Sequence, residues 1–163
     1  MSVAFDLMYN IFYIMVSTSN METDMSFREK IHWAAFIGIT GAFGWYFLSY
    51  PWAIVTTRQG IGAVAGMLVP VTIIIIATMT VVAAFLAIRF PREASLKEDE
   101  RERDIHRRGT HAAYYPLVLG VYGLLVAVFW GWSGALLLNL VLAVVVSAEL
   151  VRVGAQLWLY RRG

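Results

Sequence analysis

The chain has 163 residues, 60% of them apolar and only 15% charged, where ordinary soluble proteins carry roughly 45–50% and 25%. Mean hydropathy is +0.67, and no Asp, Glu, Lys, Arg or His occurs from Ile61 to Ile88; so much apolar surface has no adequate core to enter in water, which excludes a soluble globule and points to an integral membrane protein. Cysteine is absent, and 13 of the 24 charged residues crowd between Arg89 and Thr110, so thiol, disulfide and cysteine-metal chemistry drop out and the net charge of +2 reads first as a signal of membrane threading.

The first 24 residues form an extension. Leu7 to Val16 is apolar apart from Asn10, too short to span a bilayer, and without a preceding Lys or Arg it does not read as a secretory signal. It suits either an interfacial helix or a segment outside the natural chain. In the second case Met21 or Met25 is the start, since Met25-Ser-Phe-Arg28-Glu-Lys30 is a normal short lead into a span.

Four spans follow, at about 31–50, 61–88, 111–132 and 134–153. The first matches a bilayer core in length and ends at Pro51. The second is longer than a bilayer needs, so it is tilted, kinked at Pro70, or begins in the interface near Gly60 and Gly62. Gly131-Trp132-Ser133-Gly134 is an uncharged tight connection between the last two. Counting Lys and Arg on the connecting segments gives 11 on one side and Arg58 alone on the other, which places both termini and the 89–110 loop in the cytoplasm. Aromatic residues give the same map, with Trp45, Tyr46, Tyr50, Trp52, Trp130 and Trp132 at the outer face and Trp33, Tyr114, Tyr115, Trp158 and Tyr160 at the inner one.

Gly38, Gly41 and Gly44 recur in the first span, and Gly62 with Gly66 forms a GxxxG pair in the second. Small residues at this spacing let backbones approach, either inside the monomer or along a homodimer seam.

In the loop, Ser95 to Glu98 has capping-box spacing, and a charged cytoplasmic helix is expected from there to Arg108. It is polar nearly all round, with Leu96 and Ile105 its apolar members, and is laced by i,i+4 pairs such as Asp99 with Arg103 and Asp104 with Arg108. It reads as a solvated spacer or as a docking surface formed by Asp99, Glu100, Arg101, Glu102, Arg103, Asp104, Arg107 and Arg108. Seven basic against six acidic residues argue against a nucleic-acid or anionic-lipid patch, which would carry mostly one sign.

Glu149 is the acidic residue inside a span. Folding the last hairpin at Ser133 puts it level with about Leu117, and Arg152 follows one turn on. A mutual ion pair, helped by Tyr114 or Tyr115, accounts for both; a proton or ion site normally has several ionisable groups near the midplane, and Asn139, Thr72, Thr78 and Thr80 are the other polar candidates. His32, His106 and His111 fall at the cytoplasmic ends of spans. Glu102 and His106 have a spacing that shares a metal, without a second chelating pair, so neither metal nor cofactor is expected. No nucleophile elbow, P-loop or Rossmann glycine pattern supports an enzyme.

At Asp99-Glu-Arg-Glu-Arg-Asp-Ile105, followed by Arg108 and Tyr114-Tyr115, the sequence resembles an uncharacterised family of small bacterial and archaeal membrane proteins. The closing Ala155-Gln-Leu-Trp-Leu-Tyr-Arg-Arg-Gly163 is similar to the tail of its proteobacterial members. The resemblance covers about 25–163 and assigns no catalytic residue. Such proteins are often encoded beside a small helix-turn-helix regulator, which implies that the membrane protein holds or tunes it.

The expectation is therefore an all-α, four-helix transmembrane bundle in a bacterial or archaeal cytoplasmic membrane, N-in and C-in. Lipid is its constant partner, a small cytoplasmic regulator the expected protein partner, and direct nucleic-acid contact is not expected. Regulation or anchoring is the leading function, with a transporter or channel using Glu149, or an accessory subunit of a larger complex, as alternatives.

Overall fold

A computed structural model describes residues 27–91 and 99–162. The proposed interfacial helix near Leu7 to Val16 and the Ser95–Glu98 cap lie outside the described residues. Within them the chain forms four long helices and no strand: α1 (Phe27–Ser49), α2 (Arg58–Arg89), α3 (Glu100–Phe129) and α4 (Gly134–Arg162). All four are long and apolar enough to cross a membrane, which is the makeup of a multi-pass membrane protein.

Every helix outruns its apolar stretch, because charged residues with long side chains are good helix formers and a started helix propagates cheaply. α1 begins with Arg28, Glu29 and Lys30 already helical and stops before Pro51, which has no N–H to donate and disfavours helix at the residue before it. A single 3-10 turn, Trp52–Ile54, then leads into α2. α2 starts at Arg58, ahead of Gly60 and Gly62, and continues through Pro70 as one helix of 32 residues; at 1.5 Å per residue this is about 48 Å, against a hydrocarbon core of about 30 Å. α4 runs past the expected end near Val153 to Arg162.

The larger correction concerns the charged helix. It is not a separate element between two spans: from Glu100 it is the first three turns of α3, which passes without a break through Thr110 and His111 into the apolar stretch. Its inward side is also part of the packing, since Ile105 and Gly109 are buried.

The turn between α3 and α4 closes as a Schellman motif. Gly131 N–H donates to Val128 O at 3.0 Å and Trp132 N–H to Ala127 O at 3.2 Å, with Gly131 at φ 68°, a conformation that a Cβ would strain. Ser133 then serves both hairpins. Its hydroxyl donates to Val55 O at 2.7 Å, in the α1–α2 connection, and accepts from Leu136 N–H at 3.3 Å as the cap of α4.

α4 is the central helix, packing against α1, α2 and α3, while the extensive packing of α3 is with α4. One core cluster gathers Tyr46, Tyr50, Val64, Val71 and Ala135 near the connecting loops; a second, Ala34, Val82 and Leu86, lies toward the opposite end. Tyr46 and Tyr50 are thus core residues, not part of an outer aromatic belt. The Tyr46 hydroxyl donates to Asn139 Oδ1 at 3.0 Å, Asn139 Nδ2 donates to Ala135 O at 2.9 Å, and the Tyr50 hydroxyl donates to Gly60 O at 3.0 Å. Trp52, Trp130 and Trp132 are exposed as a belt requires.

The glycines that permit close approach are not those expected. A Cβ on Gly120 would lie 2.4 Å from both methyl groups of Val144, and one on Gly109 would lie 2.5 Å from Gln156 Cγ. Gly44, Gly62 and Gly66 have no such neighbour, and Gly38 meets only Met79 at an ordinary 3.9 Å; Gly41 is half-buried. The close approaches that rely on an absent side chain are therefore α3 on α4 at Gly109 and Gly120 and the start of α2 at Gly60, where a Cβ would lie 2.6 Å from Ile54 O, not Gly38, Gly44, Gly62 or Gly66.

Candidate functional site

The polar chemistry concentrates where the start of α1, the end of α2, the start of α3 and the end of α4 come together. Asp99 caps α3: its carboxylate accepts from Glu100 N–H at 2.7 Å, and Glu102 Oε2 accepts from Asp99 N–H at 3.2 Å, completing a capping box. The same Glu102 Oε2 lies 2.7 Å from Arg28 Nη1, with both side chains mostly shielded, so one carboxylate closes the helix and fastens α3 to α1.

One turn on, Gln156 Nε2 lies 3.2 Å from His106 Nδ1, a bond the amide donates when the imidazole proton is on Nε2. Gln156 is fully buried and its Oε1 has no partner among the described residues. Gly109 makes this approach possible by leaving room for the glutamine stem. His32 faces Tyr160 at 5.7 Å between ring centroids. Among the described residues three cations cover aromatic rings at this end: Lys30 over Phe90 at 4.1 Å, Arg161 over Trp33 at 5.1 Å and Arg162 over Trp158 at 4.1 Å. Such contacts hold a charge over the rim of an apolar layer.

Of the eight residues expected to form a docking surface, Glu100, Arg101, Arg103, Arg107 and Arg108 are exposed, whereas Glu102 and Asp104 are half-buried. Asp104 takes the expected ion pair with Arg108 at 2.7 Å and a longer one with Arg107 at 3.4 Å. Asp99 is occupied by the cap rather than by Arg103. The set is thus divided: Asp99 and Glu102 are engaged in the helix cap and the Arg28 pair, while Glu100, Arg101, Arg103, Arg107 and Arg108 are exposed.

Glu149 and Arg152 form the expected ion pair, with Arg152 Nε and Nη2 at 2.8 and 2.7 Å from the same Glu149 Oε2. The Gly120–Val144 contact sets the register, and five residues beyond Val144 brings Glu149 opposite about Tyr115, within a turn of the expected level. Tyr114 and Tyr115 are exposed and make no hydrogen bond to it among the described residues.

Glu102 and His106 do not converge as metal ligands, since one turns to Arg28 and the other to Gln156. Among the described residues no group of three or more His, Asp or Glu side chains could hold a metal ion. Sequence reasoning missed Arg28 and Gln156 as members of this cluster. The available signal was Glu102, Ile105 and Gly109 at i, i+3 and i+7, one inward stripe in a segment read as polar nearly all round. Comparison of the chain with known protein families, with curated proteins and with solved structures finds no match.

Proposed function

We propose that the chain is a non-catalytic membrane anchor or regulator, whose charged α3 turns face the cytoplasm and hold a small cytoplasmic protein. The observation that carries this reading is the outward display of Glu100, Arg101 and Arg103 on a helix that is continuous with a span and fastened to α1 through Glu102 and Arg28. A rigid, charged projection of mixed sign suits recognition by charge pattern, because wrong partners meet like charges. The resemblance in the Asp99–Ile105 segment points to a helix-turn-helix regulator as that protein, with the membrane bundle setting its location.

Both termini are cytoplasmic in this reading, as the distribution of Lys and Arg requires. The test is co-purification of the neighbouring regulator with the full chain and with a variant reversing charge at Glu100, Arg101 and Arg103, leaving Glu102 to its partner. Capture by the wild type and its loss in the variant is the expected result. Unchanged capture, or protease sites at Arg101 and Arg103 opening only from outside the cell, removes the proposal.

A further inference from the structure

Counted along the sequence, the charges around α3 nearly cancel, but they do not cancel face by face. Asp99 is taken by the helix cap and Glu102 points to Arg28 on the inward side. On the opposite side, Arg107, Arg108 and His111 line one concavity. Among the described residues Asp104 is the carboxylate paired with its arginines, shared between both, and Glu100 lies on the same face two turns away, with Arg103 between. Arg108 pairs with Asp104 through Nε and is 65% exposed, and Arg107 has a 3.4 Å contact with Asp104 and is 84% exposed.

The level of this concavity along α3 is informative. From His111 to Ala148 the chain has no Asp, Glu, Lys or Arg, so the Arg107–His111 turn is the boundary between the charged and apolar parts of the helix. Tyr114 and Tyr115 follow directly, 58% and 64% exposed, and the His111 and Tyr115 rings meet edge to face at 5.7 Å. Tyrosines with an apolar body and a polar tip favour headgroup depth. Guanidinium groups match phosphate oxygens in geometry as well as charge.

We infer that Arg107, Arg108 and His111 form a binding site for the phosphodiester headgroup of an anionic phospholipid. Its acyl chains lie along the exposed apolar surface of α3 beyond Tyr115, where Leu119, Tyr122 and Val126 face outward. The site is distinct from the docking surface at Glu100, Arg101 and Arg103, so each can fail without the other.

The experiment uses the full chain in a non-ionic detergent, titrated with phosphatidylglycerol or phosphatidylcholine carrying the same chains and the same dye, and reads energy transfer from tryptophan. Phosphatidylglycerol is expected to bind at least tenfold more tightly. About 1 kcal/mol per arginine near an anionic surface corresponds to about fivefold each, so R107Q/R108Q weakens it by up to roughly 25-fold and removes the preference over phosphatidylcholine. R161Q/R162Q removes the same charge at the same end and keeps the preference. Equal losses in the two double variants, or no discrimination between lipids, overturns the site. Displacement of the lipid by millimolar inorganic phosphate overturns its assignment to lipid in favour of free phosphate. Both arginines are exposed, so the variants retain wild-type helical circular dichroism.

Discussion

Glu102 and Arg28 meet at 2.7 Å between the first turns of α3 and α1, and the oxygen that makes the pair also accepts the Asp99 N–H of the helix cap. Glu102→Gln keeps an amide oxygen for the cap and removes the charge, whereas Glu102→Ala removes both. In detergent, Glu102→Gln is expected to cost about 1 kcal/mol and Glu102→Ala about 1 kcal/mol more. A double-mutant cycle with Arg28→Gln, read by thermal unfolding, should give a coupling of about 0.5–1 kcal/mol; a coupling near zero would mean that the pair does not fasten the helices.

Tyr46 is fully enclosed and its hydroxyl is satisfied by Asn139. Tyr46→Phe leaves the Asn139 oxygen without its donor in a dry interior, at an expected cost of about 1–3 kcal/mol. Asn139→Leu in the Tyr46→Phe background should cost less than the sum of the two single changes, because both polar partners then leave together. Additive losses would show that the bond contributes nothing specific.

The α3–α4 seam gives a contrast among glycines. Gly120→Ala places a methyl against Val144 and is expected to destabilise by about 1–3 kcal/mol, with partial recovery on adding Val144→Ala. Gly62→Ala and Gly66→Ala meet open space in the single chain and should leave monomer stability unchanged or slightly raised, since alanine is the better helix former. If either lowers the mass of a detergent-solubilised oligomer, that face packs between copies.

Glu149 and Arg152 are paired within one helix and only partly shielded. Glu149→Gln is therefore expected to cost less than about 1 kcal/mol and to leave regulator capture intact. Proteoliposome flux present in the wild type and abolished by Glu149→Gln would instead make this residue part of a transport path.

The sequence made the four apolar stretches and their order plain, because uninterrupted hydrophobic runs have no other stable environment. It was less informative about helix ends. Arg28, Glu29, Lys30 and the Glu100–Arg108 run are charged, and charge marks where a helix leaves the apolar layer, not where its hydrogen bonding stops. Tyr46 and Tyr50 have the composition of an interfacial belt; only Asn139, 93 positions from Tyr46, reveals that one hydroxyl has a buried acceptor. The Glu149–Arg152 and Asp104–Arg108 pairs were readable because both partners sit on one helix. Arg28 with Glu102 and His106 with Gln156 were not, since each joins two helices; for His106 and Gln156 the α3–α4 register depends on Gly109 and Gly120 rather than on the more conspicuous glycine repeats.

Ser133 sits at the far end of the molecule from Glu102, and its single hydroxyl belongs to both hairpins at once. The second hairpin is consequently pinned to the first at its loop, and its charged end is held by the acid–guanidinium clasp. The two hairpins are thus stitched together at both ends, with α4 packed along α1 and α2 between the stitches.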